Sequence, residues 1–480
     1  MKYILLIILA LLGVVVLLLL VAVIHTLLVP NKKSEYVAPE ADARAEELAK
    51  KLSKMVQCET VSAHDLSDYS KFKEFHKLLE ELFPLVHQKL EKTVIGDGNL
   101  LFYWKGKSSA KPLVLMSHMD VVPADGEWIH KPFSGDIADG KVWGRGTSDT
   151  KCSVMAFFQA VEELLWDGYV PENDVYLSSS CTEEWSGPGC GQIVDELQNR
   201  GVRPFLVCDE GGGIISEPIG GIHGNFAMLG VFEKGKGDVK FTAKSNGGHS
   251  STPPKNSPIV RISAFVHEIE SKDPFRREMS KEVSSMFETL APYAGFGLKL
   301  VFTNLWLFGP ILLKVLPAIS GQAGAMIRTT MAFTMSSGSD AYNVMPSEAT
   351  LGANLRFIPH QGMDESIELV KGIAAKHNLE MEVIKASDYT EPVDIKGEGF
   401  KLAVECVNKT FPGLPSSPYV MTGATDSANY QRICDNVIRF APVVYGPEQL
   451  KGMHGLNENI EYNCLPGAVD FYKNLIGINV

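Results

Sequence analysis

The most apolar stretch of the chain comes first. From Tyr3 to Val29 no residue carries a formal charge and nearly all are aliphatic. Roughly 20 such residues suffice to span a bilayer. A cleaved secretory signal has a shorter apolar region, about 7–15 residues, ending in a small-x-small site. No such site follows this run. Residues 3–29 are therefore read as an uncleaved transmembrane anchor, with a cleaved signal as the alternative. Lys2 flanks one end and Lys32 and Lys33 the other, so the positive-inside rule leaves orientation nearly tied.

A polar linker, residues 30–40, leads to two stretches of helical spacing, Ala41 to Val56 and Lys71 to Leu90. The rhythm then changes. Leu100 to Trp104, Pro112 to Met116, Val175 to Ser179 and Phe205 to Cys208 are short β-rich runs. Helical patterns, Ser153 to Trp166 and Gln192 to Arg200, lie between them. Strand alternating with helix predicts an α/β domain built on a mostly parallel sheet. The pattern breaks at Gly235-Lys236-Gly237. Beyond it, Asp238 to Lys244 and Ala349 to Phe357 read as strands, and Pro258 to Lys272 and Met363 to His377 as helices. This predicts an α+β lid unit, 235–387, inserted into a catalytic domain formed by 41–234 and 388–480. Within that unit, Ala294 to Ser320 is rich in Phe, Leu, Ile and Trp but broken by Lys299, Asn304, Pro310 and Lys314. It is read as a buried helical hairpin, or as a surface that meets membrane or acyl chains.

Composition narrows the class. The chain has 480 residues, 45% hydrophobic and 21% charged, enough apolar content for a folded core. A net charge of −12 argues against nucleic acid as a partner, because phosphate binding needs clustered Lys and Arg. Eight cysteines with no C-x-x-C pair exclude a thiolate zinc cluster and are too sparse for a disulfide scaffold, although one or two bridges remain open.

The chemistry gathers where the predicted strands end. Ser117-His118-Met119-Asp120 follows the run ending at Met116. In an extended segment alternate residues share a face, so His118 and Asp120 point the same way. A metal-bound histidine needs an acceptor on its other ring nitrogen. Gly144 to Lys151 is a tight loop entering a helix, and Asp149 there is either an N-cap or a ligand. Glu183-Glu184 follows the third run; two adjacent carboxylates are costly without a cation or proton between them. Asp209-Glu210 follows the fourth. Ligands of open α/β sheets collect at the carboxyl ends of strands, and this convergence outweighs a solvated-loop reading at each position. His454, in Met453-His454-Gly455, completes a set of two histidines and three carboxylates. If one carboxylate is shared, each of two metals receives one histidine and two carboxylates. Imidazole with hard oxygen suits Zn²⁺, and Mn²⁺ or Co²⁺ less often.

These residues sit in longer motifs. SHMDVVPAD, W…PFSG and GRGTSDTK, between Ser117 and Lys151, resemble the zinc-dependent family of carboxypeptidase S, aminoacylase, bacterial glutamate carboxypeptidase and succinyl-diaminopimelate desuccinylase. TEE, GGHSSTPP, NVMPSEATLGANLRF, TGATD and MHGLNENI follow in the family's order, so the resemblance runs from about Ala41 to the end. IRTTMAFT…YNVMP is similar to the branch of carboxypeptidase S and the secreted N-acyl amino acid hydrolases.

The resemblance implies that His118 and Asp209 hold one zinc, Glu184 and His454 the other, and that Asp149 bridges. It implies Asp120 as the partner behind His118 and Glu183 as general base. His249 resembles the lid histidine that polarises the scissile carbonyl, often from a second subunit, which implies a homodimer through the lid. Asn343 and Arg356 match positions that grip a substrate carboxylate, and Gly423 a substrate-lining loop. Thr150 stands where the family often has Asp. The expected activity is cleavage of an amide bond beside a free carboxylate, in a small peptide or an N-acyl amino acid. The alternative is a silent peptidase-like ectodomain acting as a binding module. That reading requires lost ligands, and every ligand and base position is filled. Secreted and vacuolar relatives imply a single-pass membrane protein with its catalytic part outside the cytosol.

Overall fold

The computed structural model describes residues 2–479. The apolar runs Asn99–Trp104, Ser108–Met116 and Asn173–Ser179 form the middle of an eight-stranded sheet. Identified by first residue, its strands run 91, 99, 173, 108, 206, 437, 225, 416 across the sheet. The four central strands, 173, 108, 206 and 437, are mutually parallel. The sheet as a whole is mixed, not mostly parallel as the β/α alternation predicts. The pairs 91–99, 99–173 and 206–225 are antiparallel. For 91–99 and 206–225 the physical reason is connection length: a parallel return needs a crossover of a dozen or more residues, and these short links permit only antiparallel pairing; with 99 turned back in this way, its pairing with the distant strand 173 is antiparallel too.

Helices Ala43–Val56, Lys151–Trp166, Glu398–Thr410 and Leu465–Ile478 cover one face through a large apolar cluster that includes Leu52, Phe157 and Phe471. Gly189–Asn199 covers part of the other through Ile193, Val194 and Leu197, against Leu101, Val114 and Tyr430. The predicted helix from Lys71 to Leu90 is divided into Ser70–Leu82 and Pro84–Lys89, because Pro84 lacks the N–H that would continue the first. All eight cysteines are free.

A second sheet is four-stranded and antiparallel, in the order 330, 348, 235, 380 by first residue. Burial alternates strictly along Glu348–Phe357. Its inner face packs Val239, Phe241, Leu355 and Phe357 against Phe265 and Val370 of helices Pro258–Lys272 and Met363–Lys376, a core separate from the first. The interval 235–387 is nevertheless not one packing unit. Helix Lys281–Leu290 lies against strand Ser416–Met421, and Val283, Met286, Phe287, Phe302 and Leu316 join the large cluster. The last strands of the main sheet are apolar on a face that no earlier helix covers, and this stretch covers it.

The chain leaves the main sheet at Glu233–Gly235 and returns at Asp388–Thr390. The two crossings are bonded to each other: Thr390 N donates to Glu233 O at 3.0 Å, and Glu233 N to Thr390 Oγ1 at 2.7 Å. A Cβ on Gly235 would stand 2.6 Å from both Asp388 C and Tyr389 N. Close approach of the two backbones therefore requires glycine here. Gly235→Ala should cost about 1–3 kcal/mol, the usual range for forced overpacking, and should change the relative setting of the two sheets. Chemical denaturation and small-angle scattering measure the two effects; wild-type values in both would mean the crossing yields freely.

Candidate metal centre

Two loops at the carboxyl ends of central strands 108 and 173, and the loop from Trp143 of a small separate sheet into helix Lys151–Trp166, meet the segment that follows helix Pro447–Gly452. His118, fully buried, lies with Nε2 3.1 Å from Asp149 Oδ1. His454 Nε2 lies 3.1 Å from Asp149 Oδ2 and 2.9 Å from Glu184 Oε2. Asp149 thus sits between two imidazoles. Ligand atoms of His118, Asp149 and Glu184 fall within 4.8 Å of one another. Glu183 Oε2 is 3.9 Å from His118 Nε2.

The electrostatics call for a cation. Burial opposes charge on His118, but hydrogen bonds to Asp120 and Asp149 outweigh it and raise its pKa well above the ordinary histidine value. Bonds to Asp149 and Glu184 push His454 up to about 10. Burial raises Glu183 and Glu210 well above the carboxylate range, and the neighbouring acids add to both. Positive charge is thus favoured between the carboxylates, and a His and carboxylate donor set with a shared aspartate fits divalent metal.

Buried acids outside the cluster hold its loops. Asp120 Oδ2 accepts from Ser62 Oγ at 2.5 Å and from Glu184 N at 3.1 Å, and its Oδ1 from Glu183 N at 3.3 Å. The nearest partner of His118 Nδ1 is the carbonyl of Asp120 at 3.0 Å, with the carboxylate at 3.5 Å. Glu458, wholly buried, accepts from the N–H groups of Gly146, Ser148 and Asp149 at 2.9–3.1 Å and from Arg145 Nη1 at 2.8 Å. Arg145 Nη2 also reaches Gly455 O at 2.9 Å, which ties the Asp149 loop to the His454 segment. Lys151 Nζ donates to Met55 O and Cys58 O at 3.1 and 2.7 Å, capping the end of helix Ala43–Val56. The peptide between Asp149 and Thr150 is cis.

One assignment needs correction. Sequence patterning ends the fourth strand at Cys208, but the strand continues as Leu206–Ser216. Adjacent residues of an extended segment face opposite sides. Asp209 accordingly turns away from the cleft, its Oδ2 accepting from Ser427 N at 3.0 Å and its Oδ1 from Glu210 N at 2.8 Å. Glu210 lines the cleft with Asp149, Glu183 and His454. The cleft, about 280 Å³, is completed by Tyr419, Met421 and Gly423.

The remaining expected residues stand apart from it. His249 is exposed on a two-stranded ribbon, paired with Val344 beside Asn343. Its Nδ1 is 2.8 Å from Ser251 Oγ. Arg356 lies on the second sheet, its Nε donating to Asn354 Oδ1 at 3.0 Å. Among the described residues, no hydrogen bond or ion pair joins these three to the cluster. Glu458, Arg145 and Glu210 are the residues that sequence reasoning misses. Glu210 is legible only once the strand is seen to continue. The pairing of Glu458 with Arg145 spans 313 positions and leaves no local trace.

A centre of this kind belongs to hydrolases that use divalent metal to activate attack on a carbonyl. The chain belongs to peptidase family M20/M25/M40, whose model matches residues 114–477. It is 32% identical over 443 residues to probable carboxypeptidase S-like 2 of Dictyostelium discoideum, covering 90% of this chain and 84% of that protein. It is 34% identical over 448 residues to human N-fatty-acyl-amino acid synthase/hydrolase PM20D1, covering 91% and 89%. The M20 family metallo-carboxypeptidase Sso-CP2 of Sulfolobus solfataricus has the same fold, with a TM-score of 0.65 at 18% identity over 90% of this chain and 99% of that one. The chain is a metal-dependent hydrolase.

Glu458→Gln removes the charge opposite Arg145 and sets an amide N–H against it. Affinity for divalent metal should fall on the order of 10–100-fold, as for lost supporting bonds elsewhere. Metal titration of the stripped protein measures it; unchanged affinity would assign Glu458 a role in stability alone.

Proposed function

We propose that the chain is a two-zinc hydrolase of amide bonds beside a free carboxylate, acting on N-acyl amino acids in preference to peptides. The observation that carries this reading is Asp149, held 3.1 Å from both His118 and His454, with the half-buried Glu183 alongside. His118 and Glu210 would hold one zinc and Glu184 and His454 the other, with Asp149 common to both. Bound there, zinc would supply Lewis acidity toward water and the carbonyl oxygen.

Glu183 is the general base. Desolvation raises the proton affinity of its carboxylate. It therefore takes a proton from the attacking water and returns it to the leaving nitrogen. Asp120, accepting from Glu183 N, keeps that carboxylate oriented.

His249, Asn343 and Arg356 meet the substrate when the second sheet closes over the cleft. Arg356 grips the substrate carboxylate with its guanidinium fork. With Nδ1 of His249 engaged by Ser251, Nε2 is the nitrogen left for the scissile carbonyl. Lys236 Nζ, 3.4 Å from Ser186 Oγ, and Lys385 Nζ, 3.1 Å from Ser186 O, already link this sheet to the loop of Glu183 and Glu184. The exposed ribbon bearing His249 is proposed as a homodimer contact. Helix Lys2–Leu28 is proposed as a retained anchor, with the catalytic part outside the cytosol. It is the one described helix long and apolar enough to cross a membrane unbroken.

The preference for acyl amino acids rests on Tyr419, Met421 and Met453, which give the acid-lined cleft an apolar side. It also rests on similarity to proteins named N-fatty-acyl-amino acid synthase/hydrolase. A series of N-acyl amino acids of increasing length, assayed beside dipeptides, tests it. kcat/KM should rise with acyl length, because each buried methylene contributes roughly 0.8 kcal/mol. A flat or falling series would leave a peptide carboxypeptidase.

The roles of the acids separate in variants. Glu183→Gln should keep both metals and lose more than the roughly 10²–10⁴-fold typical of acid–base loss. Asp209→Asn should retain metal, whereas Glu210→Gln should lose one equivalent. Metal content by plasma emission decides each, and the opposite result for the last pair would restore Asp209 as ligand. Chelation should abolish turnover and zinc restore it; full activity after verified metal removal would end the mechanism.

A further inference from the structure

The anchor helix is not detached from the catalytic body. Ala22 and Thr26 are its only fully buried residues, and with Leu18, Val23 and Val29 they form one face of its last turns. That face meets helix Phe296–Thr303 through polar groups. Asn304, wholly buried, donates from Nδ2 to Ala22 O at 3.1 Å and to Thr26 Oγ1 at 2.9 Å, and its Oδ1 lies 3.1 Å from His25 Nδ1. Thr26 and Thr303 hydroxyls are 3.0 Å apart. Lys299 Nζ donates to Val29 O and Asn31 Oδ1 at 2.5 and 2.7 Å. Small residues in contact and side-chain hydrogen bonds between helices are the devices by which helices associate in lipid.

The partner is itself apolar and bent. Phe296–Thr303 and Leu305–Ile319 meet at 107°, with Pro310 and Pro317 inside the second. One side of the pair packs on the large core. The other is a broad outward face: Ile311, Val315 and Ile319, each four apart, form one row, and Trp306 stands at its far edge, the four being 39–72% exposed, with Phe296 beyond the bend. Lys314, exposed between that row and Trp306, is long enough to carry its charge back to water. A 27-residue helix is roughly 40 Å long against a hydrocarbon core of about 30 Å. The contact from Leu18 to Val29, roughly 17 Å long, therefore runs from the interface at the end nearest the catalytic body into the edge of the hydrocarbon. Trp306 is the residue type enriched at the interface.

We propose that Phe296–Ile319 is an in-plane membrane element, clasped to the anchor through Asn304, which seats the catalytic body on the bilayer. This rests on reading Lys2–Leu28 as a retained anchor. The occupant of the outward face is the bilayer that holds the anchor, since the two surfaces are continuous at the clasp.

The test uses the full chain with Cys58→Ser, reconstituted in phosphatidylcholine nanodiscs. A fluorophore is attached in turn at Leu11→Cys, Ile311→Cys, Ile319→Cys and Trp166→Cys. The probes at 311 and 319 should lose fluorescence to spin-labelled lipid as fully as the one at 11, and resist aqueous iodide. The exposed control at 166 should do the reverse. Asn304→Ala should move the probe at 311 toward the behaviour of 166 while a water-soluble substrate is still hydrolysed. Probes at 311 and 319 quenched by iodide, with 11 still lipid-quenched, overturn the proposal and leave the anchor standing. Resistance at 311 and 319 to both quenchers means that protein, such as a second copy, covers the outward face, and also overturns it. Iodide quenching at position 11 instead overturns the anchor itself.

Discussion

Carboxylates crowded into one cleft repel each other, and the rest of the catalytic body is arranged around that constraint. Asp149, Glu183, Glu184 and Glu210 cannot all be ionised side by side without compensating positive charge. Their loops must still hold position before metal arrives. The bonds that hold them are made by acids placed behind the cleft. Asp120 accepts from the backbone of 183 and 184, Glu458 from that of 146, 148 and 149, and Glu233 from Thr425. Asp209 accepts from Ser427 in the same way. Each is buried, and two have a guanidinium beside them: Arg145 for Glu458 and Arg439 for Glu233, the latter at 2.7 Å. Removing one partner of such a pair is costly, because the other is left as an uncompensated buried charge. The outer layer therefore fixes the geometry of the inner layer independently of the metal.

What was legible in the sequence follows from how local each signal is. His118, Asp149, Glu184 and His454, which the structure brings together, are readable as candidates because strand ends and glycine loops are local features. The helices from Ala43, Lys151, Pro258 and Met363 were found by apolar spacing within one turn of their observed ends. Direction of pairing was not legible, so the mixed character of the main sheet was missed. The continuation of strand Leu206–Ser216 through two acids and three glycines was not legible either. Acids and glycine are poor strand formers on their own, and only the neighbours at 437 and 225 stabilise them in extended form. That single miss exchanged Glu210 for Asp209.

Ala294 to Ser320 shows the same limit on a larger scale. Its position between two blocks of the second sheet assigned it to the lid, and its apolarity raised the question of what it touches. Contiguity in sequence was misleading, because apolar surface goes to whichever uncovered face it reaches, and here that face belongs to the main sheet.

This placement bears on how the two parts can move. The metal-binding loops, the helix pair Phe296–Ile319 and the contact with helix Lys2–Leu28 all belong to one packed body. The second sheet has its own core and joins that body through the two crossings at 233–235 and 388–390, through two more on either side of Lys281–Ile319, where Glu278 N donates to Ile327 O at 2.9 Å, and through the lysine contacts at Ser186. The closure proposed above is therefore coupled to the helix pair Phe296–Ile319, because Arg277 bonds at once to Asp273 Oδ2 at 2.6 Å, at the end of helix Pro258–Lys272, and to Leu313 O at 3.2 Å.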